Sequence, residues 1–236
     1  MFITTSGIVL RTYPFKDKRL VAKIFTKESG VVSFIIKKNK SQLALSQLLT
    51  IAEITYKSSK NKSLFYITET RVEHVYKSLS LNEKKIQTSI ILCEILNKCL
   101  SEKNEELYDF LTNAFKCFDD LNQHIHGFDT LFLINFCKII GISPFINMSP
   151  TKNKVLDLRE GCFVDNVRGG TKNLIVPEKE TSELSRLSLK DIYNLDSLQI
   201  DCEVNKKLFN YMILYISNHL ADLTKLNSLR IFKEFA

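Results

Sequence analysis

The residues with the most reactive side chains do not form a recognisable catalytic or metal-binding set. His124 and His126 lie two apart in "LNQHIHGF", and Asp119 and Asp120 are adjacent a few residues earlier. No neighbouring cysteine or histidine completes a four-ligand zinc set, and paired carboxylates at the end of an amphipathic segment are typical of a polar helix terminus. We interpret the histidines as surface or capping residues and predict no metal.

The cysteines suggest a reducing compartment. They include no C-x-x-C pair, and most of them lie inside apolar runs, as buried reduced thiols do. An alternating segment follows Met1 directly, unlike a signal peptide, and no apolar run reaches the roughly 18 residues that a membrane span needs. We therefore expect a cytoplasmic protein without membrane contact. The six cysteines are Cys93, Cys99, Cys117, Cys137, Cys162 and Cys202.

Motifs that bind nucleotides or activate a nucleophile are missing from the sequence. There is no G-x-x-x-x-G-K-[ST], no G-x-G-x-x-G, no G-x-S-x-G and no H-E-x-x-H. Only seven glycines are present, so few backbone positions could approach a phosphate closely. The sequence predicts a protein that is not an enzyme and that needs no cofactor.

Positive charge is concentrated in the N-terminal third of the chain. The first 80 residues hold 14 Lys and Arg against 5 Asp and Glu, a net charge of +9, whereas the remainder holds 19 against 21, a net charge of −2. A clustered positive field attracts a polyanion more strongly than scattered charges do. A merely lysine-rich composition is the alternative, but it predicts lysine along the whole chain.

The cations of this region recur where predicted strands end. The segment "IIKKNKSQLALSQ", residues 35–47, carries three lysines in four positions immediately after a strand. Long cations on exposed loops suit phosphate binding. A merely solvated lysine face is the alternative. We predict nucleic-acid contacts by ten residues: Arg11, Lys16, Lys18, Arg19, Lys37, Lys38, Lys40, Lys57, Lys60 and Lys62.

Aromatic residues lie between these cations and could stack on bases. Strand alternation must send about half of the rings into a core. The six candidates are Tyr13, Phe15, Phe34, Tyr56, Phe65 and Tyr66.

The elements that would position these side chains are five short strands followed by helices. Strand-like runs cover residues 3–12, 20–26, 31–37, 48–56 and 64–72. Five strands with one longer connection fit a small Greek-key barrel of the oligonucleotide-binding (OB) kind, although an SH3-like barrel or an open meander would give a similar pattern. We predict an α+β protein with an OB-fold domain at residues 1–78 and a mostly helical domain at residues 79–236.

Helical periodicity begins after residue 75. We predict a helix over residues 80–100, capped by Ser80 with Glu83 three residues on, then helices over 105–121, 128–140 and 205–220. Residues 143–177 are rich in proline and glycine and predict a loop-rich insertion, with a small hairpin in "VLDLREGCFV".

The order of these segments resembles the RecO family of bacterial recombination mediators. The resemblance begins with "TTSGIVLRTYPFKDKRLVAKIFTKESGVVSFIIK" and continues through "IQTSIILCEILNKCL" and "FLINFCKIIGISP" to "LNSLRIFKEF", so it covers most of the chain. No single motif is highly specific, and it is the order and spacing of the four that indicate the family.

The resemblance implies a non-enzymatic DNA repair and recombination protein. Such a protein binds single- and double-stranded DNA without sequence specificity, anneals complementary strands and, with RecR, helps to load RecA. It also contacts the C-terminal tail of single-strand-binding protein, and it would be cytoplasmic and nucleoid-associated. An RNA-binding or ribosome-associated barrel and a protein–protein adaptor with a basic face are the alternatives that the charge pattern leaves open.

The chain departs from this family in two places. Many relatives carry a four-cysteine zinc module after the third helix, whereas only Cys162 lies between Gly141 and Pro177 here, so metal is not expected. Relatives also follow strand three with a Gly- and Arg-containing segment, where this chain has "KKNKSQ". Lysine retains phosphate contact but loses the bidentate geometry of arginine.

Overall fold

The structure is a computed structural model with two compact units. It describes residues 1–16, 19–37, 39, 41–59, 63–121, 126–145, 154–165, 174–195, 198 and 200–234. Of residues 232–234 only the backbone is described. One unit contains residues 1–122 and 226–236, and the other contains residues 123–225. The domain boundary between residues 78 and 79 stays a prediction.

The first unit begins with a closed five-stranded barrel in the order β1-β2-β3-β5-β4. The OB-fold prediction is therefore confirmed, with helices following the barrel as expected. All pairs are antiparallel except β3 with β5, which run parallel over three residue pairs. The strands are β1 Phe2–Phe15, β2 Arg19–Thr26, β3 Gly30–Lys37, β4 Ile51–Lys57 and β5 Leu64–His74.

Alternation along each strand separates the barrel interior from its outer surface. The interior is filled by apolar side chains such as Val9, Ile24, Phe34 and Ile54, all almost fully buried. In β1 the pairing with β2 shifts between Val9 and Arg11, a bulge that leaves Leu10 without a partner. Such a bulge resets which side chains point outward along the rest of the strand.

The hairpin between β2 and β3 requires glycine at residue 30. Gly30 has a φ of +69°, and a Cβ there would lie 2.4 Å from the carbonyl oxygen of Ser101. The turn is held by the hydroxyl of Thr26, which donates to the Gly30 carbonyl at 2.8 Å. The amide of Val31 also donates to Ser101 O, at 3.0 Å. This end of the barrel is therefore hydrogen-bonded to the chain at residue 101.

Three helices accompany the barrel: α1 Glu83–Cys99, α2 Glu105–Asp120 and α6 Asn227–Glu234. The N-cap prediction at Ser80 is wrong, because Asn82 caps α1 with its side-chain oxygen, 3.1 Å from the amide of Lys85. The amides of Leu81 and Asn82 bond to the carbonyl of Ser78, so Ser80 belongs to the preceding turn. Asparagine caps as well as serine does, and the helix starts after the last residue with extended backbone.

The second unit contains three helices and a small sheet. Strands β6 Lys154–Asp157, β7 Cys162–Asp165 and β8 Ile175–Val176 pair in the order β7-β6-β8, which confirms the predicted hairpin. The helices are α3 Phe128–Ile139, α4 Glu178–Ser188 and α5 Cys202–His219. They pack on one another, and α4 also packs on β6. Within the described ranges, no helix of either unit is long and apolar enough to cross a bilayer.

A buried polar network joins α1 and α2 to the chain that leaves the barrel. Asp119 accepts hydrogen bonds from the amides of Lys77, Ser78 and Leu79 at 2.7–2.8 Å. Burial raises the pKa of Asp119, but these donors outweigh that effect and hold its pKa below the ordinary 3.8. Lys85, fully buried, donates to the Ser78 hydroxyl at 2.6 Å and to the Asp119 carbonyl at 3.0 Å. Burial lowers the pKa of Lys85.

We expect Asp119→Ala to lower the free energy of unfolding by about 2–4 kcal/mol, because it leaves three backbone donors without an acceptor. The measurement is urea unfolding at neutral pH. Asp120→Ala is the matched control, since Asp120 makes an exposed ion pair with Lys77 at 3.3 Å and accepts no backbone hydrogen bond of this network, and it should change stability by no more than about 1 kcal/mol. Equal losses for the two variants would contradict this account of Asp119.

The pH dependence of the difference in unfolding free energy between wild type and Asp119→Ala is a second measurement. A carboxyl whose folded pKa is depressed stabilises the fold fully above its unfolded value, and that contribution is lost as the pH falls through the folded pKa. The stability gap between wild type and Asp119→Ala should therefore be constant above about pH 5 and narrow below pH 3.8, the ordinary value for this group.

Candidate nucleic-acid interface

One end of the barrel exposes an outer surface that carries cations and aromatic rings. Because β1, β2 and β3 alternate in phase after the bulge, their outward residues form three rows across the strands. We call this surface, with the outward residues at the start of β5, the cationic face. Its rows are Arg11–Lys23–Ser33, Tyr13–Val21–Ile35 and Phe15–Arg19–Lys37. In the middle row Val21 and Ile35 point outward but are buried, at 1% and 5% exposure.

Just before the bulge, the outer surface of the barrel is apolar and buried. Ile8 and its partner Phe25 are fully buried although they point away from the barrel interior. The ring of Phe25 lies 6.2 Å from that of Tyr108 on α2. The bulge thus lies between Ile8, whose outward side chain is buried, and the later outward residues of β1, which are exposed.

Arg19 and Lys37 are the centre of the cationic face. They are direct partners across β2 and β3, and Phe15 is the partner of Arg19 on the other side. The guanidinium of Arg19 donates to the hydroxyl of Tyr66 on β5 at 3.5 Å. Lys16, exposed, follows Phe15 directly. Two cations at strand ends, one cation in the turn and two aromatic rings therefore lie close together.

Arg11 lies on the same face of β1, four residues before Phe15. Its partner is Lys23 on β2, a cation that the sequence analysis did not single out. Lys23 lies in the middle of a strand, whereas the sequence argument considered strand ends and loops only. Lys23 is two residues from Val21 and therefore points to the same side of β2. Knowledge of its pairing with Arg11 would have been needed to add it to the predicted contacts.

Lys57 lies at the end of β4, beside the cationic face. Its partner on β1 is Phe2, and it follows Tyr56, whose partner on β5 is Ile67. Tyr66 precedes Ile67, so Lys57 and Tyr66 are neighbours across these two strands. Five of the predicted cations are therefore placed on connected rows. The other five, Lys18, Lys38, Lys40, Lys60 and Lys62, lie outside the described residues.

The six aromatic candidates divide equally between the interior and the outer surface. Tyr13, Phe15 and Tyr66 point outward and are exposed. The other three rings pack against one another on the inner side of the barrel, where Tyr56 lies edge to face with Phe34 at 5.0 Å and tilted against Phe65 at 5.3 Å between ring centroids. Only the outward three can meet a ligand.

The charges of the cationic face are not neutralised by the described carboxylates. In the described ranges, ion pairs form elsewhere, as between Lys27 and Asp109 at 2.8 Å and between Arg71 and Glu53 at 3.3 Å. None involves Arg11, Lys16, Lys23, Arg19, Lys37 or Lys57. A group of accessible, unneutralised cations beside flat rings can bind phosphates and stack bases at once.

Comparison with known proteins identifies relatives of this chain. Residues 1–76 match the family model described as "Recombination protein O N terminal". The chain is 26% identical to the DNA repair protein RecO of Phocaeicola vulgatus, with 99% of each chain covered. It is 27% identical to the protein of that name from Flavobacterium psychrophilum and 24% identical to that from Christiangramia forsetii, again with 99% of each chain covered.

Removal of the central cations should reduce the salt dependence of oligonucleotide binding. We expect Arg19→Ala with Lys37→Ala to weaken binding of a single-stranded oligonucleotide and to reduce the slope of log K against log salt by up to about 1.4, since each lost phosphate contact contributes about 0.7. Fluorescence anisotropy across a salt series measures this slope.

The charge-matched control for this pair is Arg186→Ala with Lys206→Ala. It removes two cations that already pair with Glu183 and Glu203 in the second unit. We expect this control to keep the wild-type slope. An equal fall of the slope in both double variants would show that net charge, and not the cationic face, governs binding.

Tyr66→Ala should weaken single-strand binding through loss of stacking, by about 1–3 kcal/mol, with little change in the salt slope. Tyr193→Ala is the control, because both tyrosines are 49% exposed and Tyr193 lies in the other unit. Anisotropy at one salt concentration gives the two affinities. An unchanged affinity for Tyr66→Ala would remove this ring from the interface.

Proposed function

The chain belongs to the RecO family of DNA repair proteins, and on that premise we propose that it binds DNA through the cationic face without sequence specificity. The observation that carries this proposal is the placement of Arg19 and Lys37 as direct partners beside the exposed ring of Tyr66. Cations at this spacing attract successive phosphates, and the ring offers a surface to any base.

Binding without sequence preference follows from the chemistry of the face. Sequence is read by hydrogen bonds from side chains to base edges in the grooves of a duplex. The cationic face presents cations and exposed rings on an open outer surface, where they can contact the phosphates and the flat faces of the bases of a single strand. Phosphate contacts and stacking depend little on base identity, so affinity should depend strongly on salt and weakly on sequence.

We further propose that the protein anneals complementary strands. Two single strands repel each other through their phosphates, and a surface that neutralises phosphates lowers this repulsion while it holds the strands close. Stacking on Tyr13, Phe15 and Tyr66 is reversible and sequence-tolerant, so bases held there can leave for a complementary partner.

The family resemblance supports the remaining parts of the proposal. We propose that the protein binds both single- and double-stranded DNA, cooperates with RecR and the C-terminal tail of single-strand-binding protein, and so assists RecA loading. On the same ground we propose a binding role without a catalytic step, in the cytoplasm and at the nucleoid.

The test is an annealing assay with two complementary fluorescent oligonucleotides, bare or coated with single-strand-binding protein. We expect the wild-type protein to accelerate annealing of bare strands, and to do so less as salt increases. The Arg19→Ala, Lys37→Ala double variant should anneal more slowly, whereas the Arg186→Ala, Lys206→Ala control should match wild type.

Two results would redirect the proposal. No annealing at any salt concentration would favour a protein–protein adaptor with a basic face. Tighter binding of a matched RNA strand than of the DNA strand would favour an RNA-binding role. A mixed-sequence strand and a homopolymer of equal length should bind with similar affinity, and a large preference would contradict sequence-independent recognition.

A further inference from the structure

We propose that Gln42 is a positioning residue for the cationic face: its side-chain amide joins β3 to β5 where the backbone pairing of these strands stops, and so holds Lys37 and Tyr66 in register. This inference rests on the proposed function. It assigns a role in DNA binding to a buried residue that would not itself touch DNA.

The junction between β3 and β5 is the shortest pairing of the barrel. These strands pair only from Ser33 with Leu64 to Ile35 with Tyr66. By contrast, β2 and β3 pair over eight positions, up to Lys37 opposite Arg19. Lys37 therefore has a strand partner on one side only, although its cation lies at the centre of the cationic face.

The side chain of Gln42 occupies this gap. Its Oε1 accepts a hydrogen bond from the amide of Lys37 at 2.8 Å, and its Nε2 donates to the carbonyl of Ile67 at 3.1 Å. Gln42 is only 6% exposed. One carboxamide thus replaces the peptide group that would have continued the parallel ladder, since it accepts from one strand and donates to the other.

The backbone around Gln42 is held as firmly as its side chain. The side-chain oxygen of Asn39 accepts from the amide of Gln42 and from the hydroxyl of Ser41, both at 3.1 Å. Residues Leu43–Ser46 then form a single 3₁₀ turn, in which Leu45 is fully buried in the barrel core. The orientation of the Gln42 side-chain carboxamide therefore depends on the turn at Asn39 and on the burial of Leu45, and not only on the rotamer preference of glutamine.

The two bonds of Gln42 act on the residues that would bind DNA. One bond fixes the end of β3 at Lys37, and the other fixes Ile67, which follows Tyr66 directly on β5. The distance between the central cations and the exposed ring thus depends on this amide.

Among side chains of this length, only glutamine supplies both the acceptor for the Lys37 amide and the donor to the Ile67 carbonyl. An ionised glutamate can accept from Lys37 but cannot donate to Ile67, and it would place two oxygens against each other. Methionine has nearly the same shape and supplies neither a useful donor nor a useful acceptor. Gln42→Met therefore removes both hydrogen bonds while it keeps the volume of the side chain.

The experiment compares Gln42→Met with wild type in two measurements on the full chain. We expect the Kd for a fluorescent oligothymidylate to increase by about threefold to tenfold, and the slope of log K against log salt to fall by about 0.7, the value for one lost phosphate contact on a single strand. We also expect hydrogen exchange at the Lys37 amide to accelerate about tenfold, because its acceptor has gone.

Two control variants separate positioning from a general loss of stability. Gln47→Met makes the same replacement at an exposed glutamine five residues on, and should leave both measurements unchanged. Ile54→Val removes one methyl group from the barrel core and weakens the fold without touching the junction. It should keep the wild-type salt slope at a temperature where both proteins are folded.

Failure of this inference and failure of the proposed function give different results. If wild type binds oligothymidylate and Gln42→Met keeps the wild-type slope, or keeps slow exchange at Lys37, the positioning role is overturned and the proposed function remains. If Ile54→Val lowers the slope equally, the effect is one of stability and the positioning role is again overturned. If wild type does not bind, the proposed function and the role of Gln42 in it both fail.

Discussion

Closure of a small barrel is the constraint on which the rest of the structure depends. Five strands enclose an interior of mostly apolar side chains, so each strand has one inward and one outward set of residues and no freedom to exchange them. A shift of one residue would bury Arg19 and Lys37 and expose Ile24 and Ile36. The placement of the cations is therefore enforced by the packing of the core.

The bulge in β1 changes which side chains of this strand point outward. Immediately before the bulge the outward side chain of Ile8 is buried, and after it the outward side chains are a cation and aromatic rings that are exposed. One strand can present both because the extra residue, Leu10, restarts the alternation. The exposed side chains after the bulge are the contribution of β1 to the cationic face.

Polar groups in buried places complete the fold of the first unit. Asp119 and Lys85 satisfy backbone groups where the chain leaves the barrel, and Gln42 satisfies two strands where their pairing stops. In each case a side chain supplies the hydrogen bonds that regular secondary structure does not provide. The described cations of the cationic face form no ion pair with a described carboxylate.

The sequence by itself determined the local elements and the distribution of charge. The period-2 runs predicted the five strands, helical spacing predicted α3, and the excess of positive charge before residue 80 predicted a polyanion partner, because these signals depend on neighbours in the chain. The order of the motifs also indicated the family, which comparison with relatives supports.

Only the tertiary structure decided which side chains share a surface. Composition could not say that Tyr66 points outward while Phe65 points inward, because the phase of the alternation is set by pairing with distant strands. Lys23 became a member of the cationic face, and Gln42 a bridge between β3 and β5, for the same reason. Contacts between residues far apart in sequence arise when the barrel closes, and no local pattern encodes them.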